Sequence, residues 1–405
     1  MYKNTMYFKK FILFLILLVC VSACVSYKKT TKNKNFDNVT WQYSSYIEDN
    51  KSIQKSINKT NPPNIIQIDN SLRLPLISQP IILDSHYIGM NKKGIISKIN
   101  IINRKTIWKN KFTDTKLNFI SEYLNGGLLQ IKNKTYATFG SNSIICFDNI
   151  SGKLIWRQKL QQIIRAYPIF ENNILYLQTL NNGMYAIDAN NGKVLWYKYG
   201  MDNGVRVTNV TSPILYKHTV ILQDSMGNIN AIDKYTGFDE WNIEEKNIYL
   251  NDALNDIKIS TYQPLIRQDH LYFYTSMGNF IKLNLSTREL EWKQKLNINR
   301  PFYIQESIAY AIDDTNQILS INLKNGSIIW KSRLIDFIKK PQDKKKNRYW
   351  NQPIVVGNIV YVYSSKGELL KLDSSNGTLI DIQYKVGKGS YIAPIFSGEN
   401  LYIVS

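Results

Sequence analysis

One interval governs this chain. Pro80 to Trp108, Pro168 to Trp196, Pro213 to Trp241 and Pro264 to Trp292 each span 28 positions, and Pro301 to Trp330 spans 29. Trp156 falls in the same series with Leu128 at the proline place. Pro353 opens a unit whose closing position is Asp381, and Pro394 opens an eighth. A self-similar unit of this length is one supersecondary element that cannot bury its apolar face alone, so the repeat decides the architecture before any local reading.

Marks inside the interval show what the unit is. A glycine sits 14 or 15 positions after the proline (Gly94, Gly183, Gly227, Gly278, Gly367), and an Asp or Asn sits 20 after it (Asn100, Asp188, Asp233, Asn284, Asp373). A second glycine precedes the closing position by four: Gly152, Gly192, Gly237, Gly326 and Gly377. Between these marks lie short apolar runs with period-two alternation, the pattern of strands joined by tight turns. In the fourth unit, 213–216 reads as strand A, 219–223 as strand B, 229–233 as strand C and 238–241 as strand D. Four antiparallel strands repeated radially make a β-propeller blade. Six of the eight tryptophans (Trp108, Trp156, Trp196, Trp241, Trp292, Trp330) occupy one position of the repeat. That regularity assigns them to packing between blades, where a large apolar ring buries most area.

The first residues read as a processing segment. Lys3, Lys9 and Lys10 precede an apolar run over 11–21, too short to span a bilayer and suited to a signal peptide. Val21-Ser22-Ala23-Cys24 follows, small residues before a cysteine as in a bacterial lipobox, with Cys24 the acylated residue. Acyl chains there anchor a protein to a membrane without spanning it. Cys20 leaves with the signal and Cys146 is then alone, which rules out an intramolecular disulfide; its alignment with Ala186 and Ala231 makes it a small buried residue. The division expected is a signal peptide over 1–23, a polar flexible tether over 24–63 and a propeller over 64–405. The eighth unit has only enough chain for two strands, so residues 64–77 are expected to close the ring.

The stretch Ala186-Ile-Asp-Ala-Asn-Asn-Gly-Lys-Val-Leu-Trp196, with its echoes at 146–156 and 231–241, resembles the repeat of quinoprotein-type propellers. Together with the lipobox, residues 80–405 are similar to the BamB family of outer-membrane β-barrel assembly lipoproteins. The resemblance implies an all-β, eight-bladed propeller of four-stranded antiparallel blades. It also implies a non-catalytic scaffold, lipid-anchored at the periplasmic face of the outer membrane. Its partners would be the periplasmic domains of a BamA-like barrel-inserting subunit and incoming outer membrane proteins. In that family the partner patch lies in the loops opening the fourth and fifth blades, here 197–212 and 242–263. Val205 and Val207 match its apolar positions. Arg206 is displaced from the family arginine, which aligns with Thr208. Asp256 matches one of two aspartates, and Lys258 stands near the place of the other.

Antiparallel counting puts the D-to-A loops and the B-to-C turns on one face, and long connections crowd it. Two of them differ in sign: 239–256 is acidic, and 339–348 carries Lys339, Lys340, Lys344, Lys345, Lys346 and Arg348. Both read as solvated loops, the basic one with an alternative role against acidic protein or anionic lipid.

Chemistry-bearing residues are sparse. His86, His218 and His270 fall at one repeat position in three blades, which assigns them to surface turns. No zinc spacing, nucleophile–base pattern or phosphate-binding glycine loop occurs, so no catalytic, cofactor or metal residue is expected. A quinoprotein dehydrogenase is the enzyme alternative, and a propeller lipoprotein with another envelope partner is the other. Nucleic acid binding is not expected: 51 Lys and Arg against 31 Asp and Glu give a net charge of +20, but the lipobox directs the chain away from nucleic acid and no aromatic-interleaved basic groove appears.

Overall fold

The structure, a computed structural model, describes residues 63–404 apart from 69–75, 77, 84, 92, 113–125, 165, 201–210, 226, 245–262, 276–277, 299 and 340–346. Seven four-stranded antiparallel sheets follow one another, each in the order A-B-C-D, and an eighth sheet contains three described strands. Blade 4 shows the rule. Strand A is Ile214–Tyr216, B is Thr219–Gln223, C is Ile229–Asp233 and D is Asp239–Ile243. The 28-residue interval therefore runs from the residue before strand A to the middle of strand D.

Apolar clusters link each blade to the next around the full circle. Ile81, Ile96 and Phe112 of blade 1 meet Leu128, Phe139 and Phe147 of blade 2. Equivalent clusters join blades 2 and 3, 3 and 4, 4 and 5, and 5 and 6. One large cluster runs from blade 6 through blade 7 to Leu401 and Ile403 of blade 8. The ring closes where Ile68, Tyr402 and Val404 pack on Ile82, Tyr87 and Ile99 of blade 1. The propeller is thus eight-bladed, as the repeat implies.

Closure uses the segment the sequence points to, in an orientation the repeat does not show. Strand Asn64–Ile68 pairs with Asn400–Val404 in parallel, Asn64 opposite Asn400 and Ile68 opposite Val404. It stands where strand C stands in the other blades but runs the opposite way. Beyond it, 69–75 is outside the described residues.

The tryptophans of strand D lie against the next blade. Trp108 Nε1 donates to Asn149 O (3.2 Å), Trp156 to Ala189 O (3.1 Å), Trp196 to Lys234 O (3.2 Å), Trp292 to Leu323 O (3.1 Å) and Trp330 to Ser374 O (2.9 Å). Each acceptor is the first residue of the neighbour's C–D turn, and the turn glycine lies flat on the ring. A Cβ on Gly192 would sit 2.6 Å from Trp156, and one on Gly377 would sit 2.3 Å from Trp330; both glycines have positive φ. Trp241 is the exception. Blade 5 carries Arg288 in place of the glycine, also at positive φ, and its guanidinium lies 5.8 Å from the Trp241 ring centre.

One feature of strand D cannot be seen in the repeat. In all seven four-stranded blades the C–D ladder slips by one residue just before the closing position, so that one residue of strand D has no partner on strand C. These bulged residues are Ile107, Ile155, Leu195, Glu240, Glu291, Ile329 and Ile380. A bulge re-aims a side chain out of the sheet, and the five aliphatic ones are 46–52 % exposed.

Candidate partner-binding face

Val205, Arg206 and Val207 lie in 201–210 and Asp256 in 245–262, outside the described residues, as does Cys24. Both loops are defined at their ends, and the ends are tied together. Ser212, last before Pro213, donates its backbone N–H to Gln263 Oε1 (2.8 Å), and Gln263 Nε2 donates to Ser212 O (2.8 Å). Ser212 Oγ donates to Tyr167 O (2.9 Å), extending the link to blade 3. Ser212 and Gln263 each precede a blade-opening proline, so one reciprocal pair holds the returning ends of both loops side by side at the inner rim.

The departing ends meet as well. A cavity of about 300 Å³ opens between blades 3 and 4, lined by Asn182, Lys198, Tyr199, Asp224, Asp239 and Trp241 among others. Lys198 Nζ lies 2.5 Å from Asp239 Oδ2 across it. Tyr199 ends a ladder of rings: Tyr185 stacks on Tyr197 at 4.1 Å, and Tyr197 meets Tyr199 edge-on at 4.5 Å. Burial raises the hydroxyl pKa of Tyr185 and Tyr197. The outermost ring, Tyr199, is 69 % exposed. The surface is aromatic and acid-bearing.

Two readings of the loops need correction. Asp239 and Glu240 belong to strand D of blade 4, so the acidic stretch begins inside the sheet. Arg348 is not solvated: it is buried, and its Nε and Nη2 donate to Glu368 Oε1 at 3.1 and 2.9 Å. Ser364 Oγ donates to the other carboxylate oxygen. Arg348 therefore staples the foot of the basic loop to the B–C turn of its own blade, while Lys340 to Lys346 lie outside the described residues.

The groove and the Ser212–Gln263 pair were missed from sequence, though a signal existed. Three residues past the closing position, five blades carry charge (Lys111, Lys159, Glu244, Lys295 and Arg333), whereas blade 3 carries Tyr199 and blade 7 Tyr384. An aromatic there departs from the charge that the repeat places at this position.

The histidines sit on the opposite face, at the start of strand B. His218 Nε2 is 2.8 Å from Glu240, and His270 Nε2 is 2.7 Å from Glu291. Hydrogen bonds from Lys282 and His270 hold the Glu291 carboxyl down at about 2. Cys146 is buried, which pushes its thiol up to about 12.

A quinone cofactor needs room and charged ligands. A cavity lined by Gln79, Pro301, Tyr349, Asn351, Gln352 and Tyr391 among others, from blades 1, 6, 7 and 8, has about 80 Å³, room for a few waters. No carboxylate lines it, and two of its amides are committed: Asn351 Nδ2 to Tyr363 O and Ser390 O, Gln352 Nε2 to Phe302 O. Among the described residues no three His, Cys, Asp or Glu are grouped to hold a metal. These residues do not fit a polyanionic quinone with its cation.

Comparison with known proteins agrees with the geometry. Residues 92–332 match the family model described as outer membrane protein assembly factor BamB. An uncharacterized protein of Rickettsia conorii is 26% identical over 339 residues, covering 82% of this chain and 81% of that one. Outer membrane protein assembly factor BamB of Moranella endobia is 18% identical, covering 80% and 82%. Among solved structures, BamB from Moraxella catarrhalis superposes with a TM-score of 0.64 at 17% identity, over 78% of this chain and 90% of that one. A quinohemoprotein alcohol dehydrogenase from Comamonas testosteroni shares the fold at 0.59 and 12% identity, over 79% and 68%. With more than half its length matched by one family model, the chain belongs to the family of outer membrane protein assembly factor BamB.

Proposed function

We propose that this protein is a non-catalytic scaffold of outer-membrane β-barrel assembly that binds the periplasmic domains of a BamA-like subunit. Residues 1–23 act as a lipoprotein signal and Cys24 carries the lipid. Residues 24–63 tether the propeller at 64–405 to the periplasmic face of the outer membrane. The working surface is the face bearing 197–212 and 242–263, with Val205 and Val207 as apolar anchors and Arg206 and Asp256 as polar contacts. The observation that supports this reading is the reciprocal Ser212–Gln263 pair, which ties together the returning ends of both loops. Aliphatic anchors with charge around them have the make-up of an interface core and rim. Family membership supports the assembly role.

The test charges the centre. Val207→Glu should weaken binding to the purified periplasmic domains by about 2 kcal/mol or more if the side chain is a buried anchor, with the melting temperature unchanged. Lys345→Glu is the comparison and should matter mainly at low salt. Normal binding by folded Val207→Glu, with loss in Lys345→Glu, moves the surface to the basic loop. Pyrroloquinoline quinone with calcium should support no dye-linked oxidation of alcohols or sugars; turnover would restore the enzyme alternative.

A further inference from the structure

The positive charge of this propeller is concentrated on one side, and the two isoleucines exposed at turn tips share that side. Residues 80–164, blades 1 and 2, contain 13 Lys and Arg against 4 Asp and Glu, net +9. Residues 211–298, blades 4 and 5, contain 9 against 11, net −2. Among the described residues of blades 1 and 2 the single carboxylate is Asp148, which accepts hydrogen bonds from Ser151 N and Oγ at 2.7 Å each within the exposed C–D turn.

The same sector carries isoleucines where the repeat does not ask for them. Ile102 and Ile150 occupy equivalent places at the tips of the C–D turns and are 82 % and 60 % exposed. The other blades put Asn190, Tyr235, Ser286, Lys324 and Ser375 there. Beneath the tips the bulges present Ile107 and Ile155. The bulge is aliphatic in blades 3, 6 and 7 as well (Leu195, Ile329, Ile380) and acidic in blades 4 and 5 (Glu240, Glu291), so the turn tips are what set blades 1 and 2 apart. The two turns form one surface, because blade 2's turn is seated on blade 1: Trp108 Nε1 and Lys98 Nζ both donate to Asn149 O, and Asn110 Nδ2 donates to Gly152 O at 2.7 Å. Lys105, Lys109 and Lys153 are exposed around these tips.

We infer that the C–D rim of blades 1 and 2 docks on an anionic lipid bilayer, the isoleucine tips entering the headgroup region and the lysines pairing with phosphates. Isolated protruding aliphatics ringed by lysine fit a soft interface that accepts apolar tips anywhere, whereas a protein partner would need a matching pocket for each. This docking face is the opposite one from the D-to-A loops, so bilayer and protein partner need not compete. The inference stands apart from the partner reading and from acylation at Cys24.

The test uses the full chain with Cys20→Ala and Cys24→Ala, so no lipid anchor contributes and the buried Cys146 stays unlabelled. An environment-sensitive dye is placed through Ile150→Cys, or through Phe238→Cys on the same face in blade 4. Vesicles of phosphatidylcholine with phosphatidylglycerol should shift the Ile150 dye to the blue and leave the Phe238 dye unchanged; high salt or pure phosphatidylcholine should abolish the shift. At about 1 kcal/mol per lysine near an anionic surface, Lys105→Gln with Lys153→Gln should lower vesicle affinity about 30-fold. No shift at Ile150, an equal shift at Phe238, an equal response to neutral vesicles, or an equal response to soluble heparin in place of vesicles would each overturn the inference.

Discussion

Removing the guanidinium of Arg348 tests whether the foot of the basic loop is structure or surface. Both side chains of the Arg348–Glu368 pair are nearly sequestered, at 2 % and 7 % exposure. Water cannot take over when one partner is removed. Arg348→Met keeps most of the apolar stem and strands the Glu368 carboxylate with Ser364 Oγ as its one remaining side-chain donor among the described residues. Breaking a buried pair in this way costs about 3–5 kcal/mol. Arg348→Met with Glu368→Gln removes both charges and should recover most of that loss, since a buried pair often contributes little net stability over a neutral replacement. Lys339→Ala, at an exposed position of the same loop, should stay within about 0.5 kcal/mol of the parent. Urea unfolding followed by tryptophan fluorescence reads all four. Equal midpoints for Arg348→Met and Lys339→Ala would refute the structural role. Loss of partner binding at unchanged stability would make Arg348 a contact residue instead.

Gly192→Ala should destabilise by about 2–4 kcal/mol, because positive φ and contact with the Trp156 ring both oppose a Cβ; Arg288→Gly at the equivalent place should change the unfolding midpoint far less. The Glu291 carboxyl lies at about 2 against an ordinary 4.5, so its contribution is complete above pH 4.5 and is lost as pH falls toward 2. The stability gap between wild type and Glu291→Gln should therefore close over that window in acid unfolding curves, and a gap constant with pH would contradict the ion-pair account. Cys24→Ala should leave the chain in the soluble periplasmic fraction or as precursor, and unchanged membrane fractionation with unchanged gel mobility would count against acylation.

The blade was legible because its marks are steric. A tryptophan flat on the neighbour's turn favours glycine there, with Arg288 beside Trp241 the exception, and both residues recur at fixed distance. What stayed hidden depends on partners that the repeat does not register. The bulge at Ile107 or Glu240 changes hydrogen-bond register without changing residue type. Arg348 looked like one more lysine-loop cation until Glu368, a residue of the B–C turn twenty positions on, was brought beneath it. Ser212 and Gln263 are ordinary polar residues whose meaning comes from standing one place before a proline in adjacent blades. Tyr199 was visible as a departure from the repeat, and averaging over units for what they share conceals what a minority of them carries. The parallel closure had no sequence signal, since an apolar strand reads the same in both directions.

That closure sets the order of assembly. Asn64–Ile68 is made hundreds of residues before Asn400–Val404, and seven sheets intervene. Bringing ends so far apart together costs about 5 kcal/mol of chain entropy by the logarithmic loop-closure law. A five-residue parallel ladder and the cluster around Ile68, Tyr402 and Val404 must offset it. Until they do, the first-made strand waits with an open edge and blade 1 lacks one wall. Contacts this distant in sequence make folding slow, so a polypeptide made N-terminus first stays a latchless arc until residue 404 arrives. Loss of Asn400–Val404 alone would unmake the ring at its one seam while leaving seven complete sheets behind.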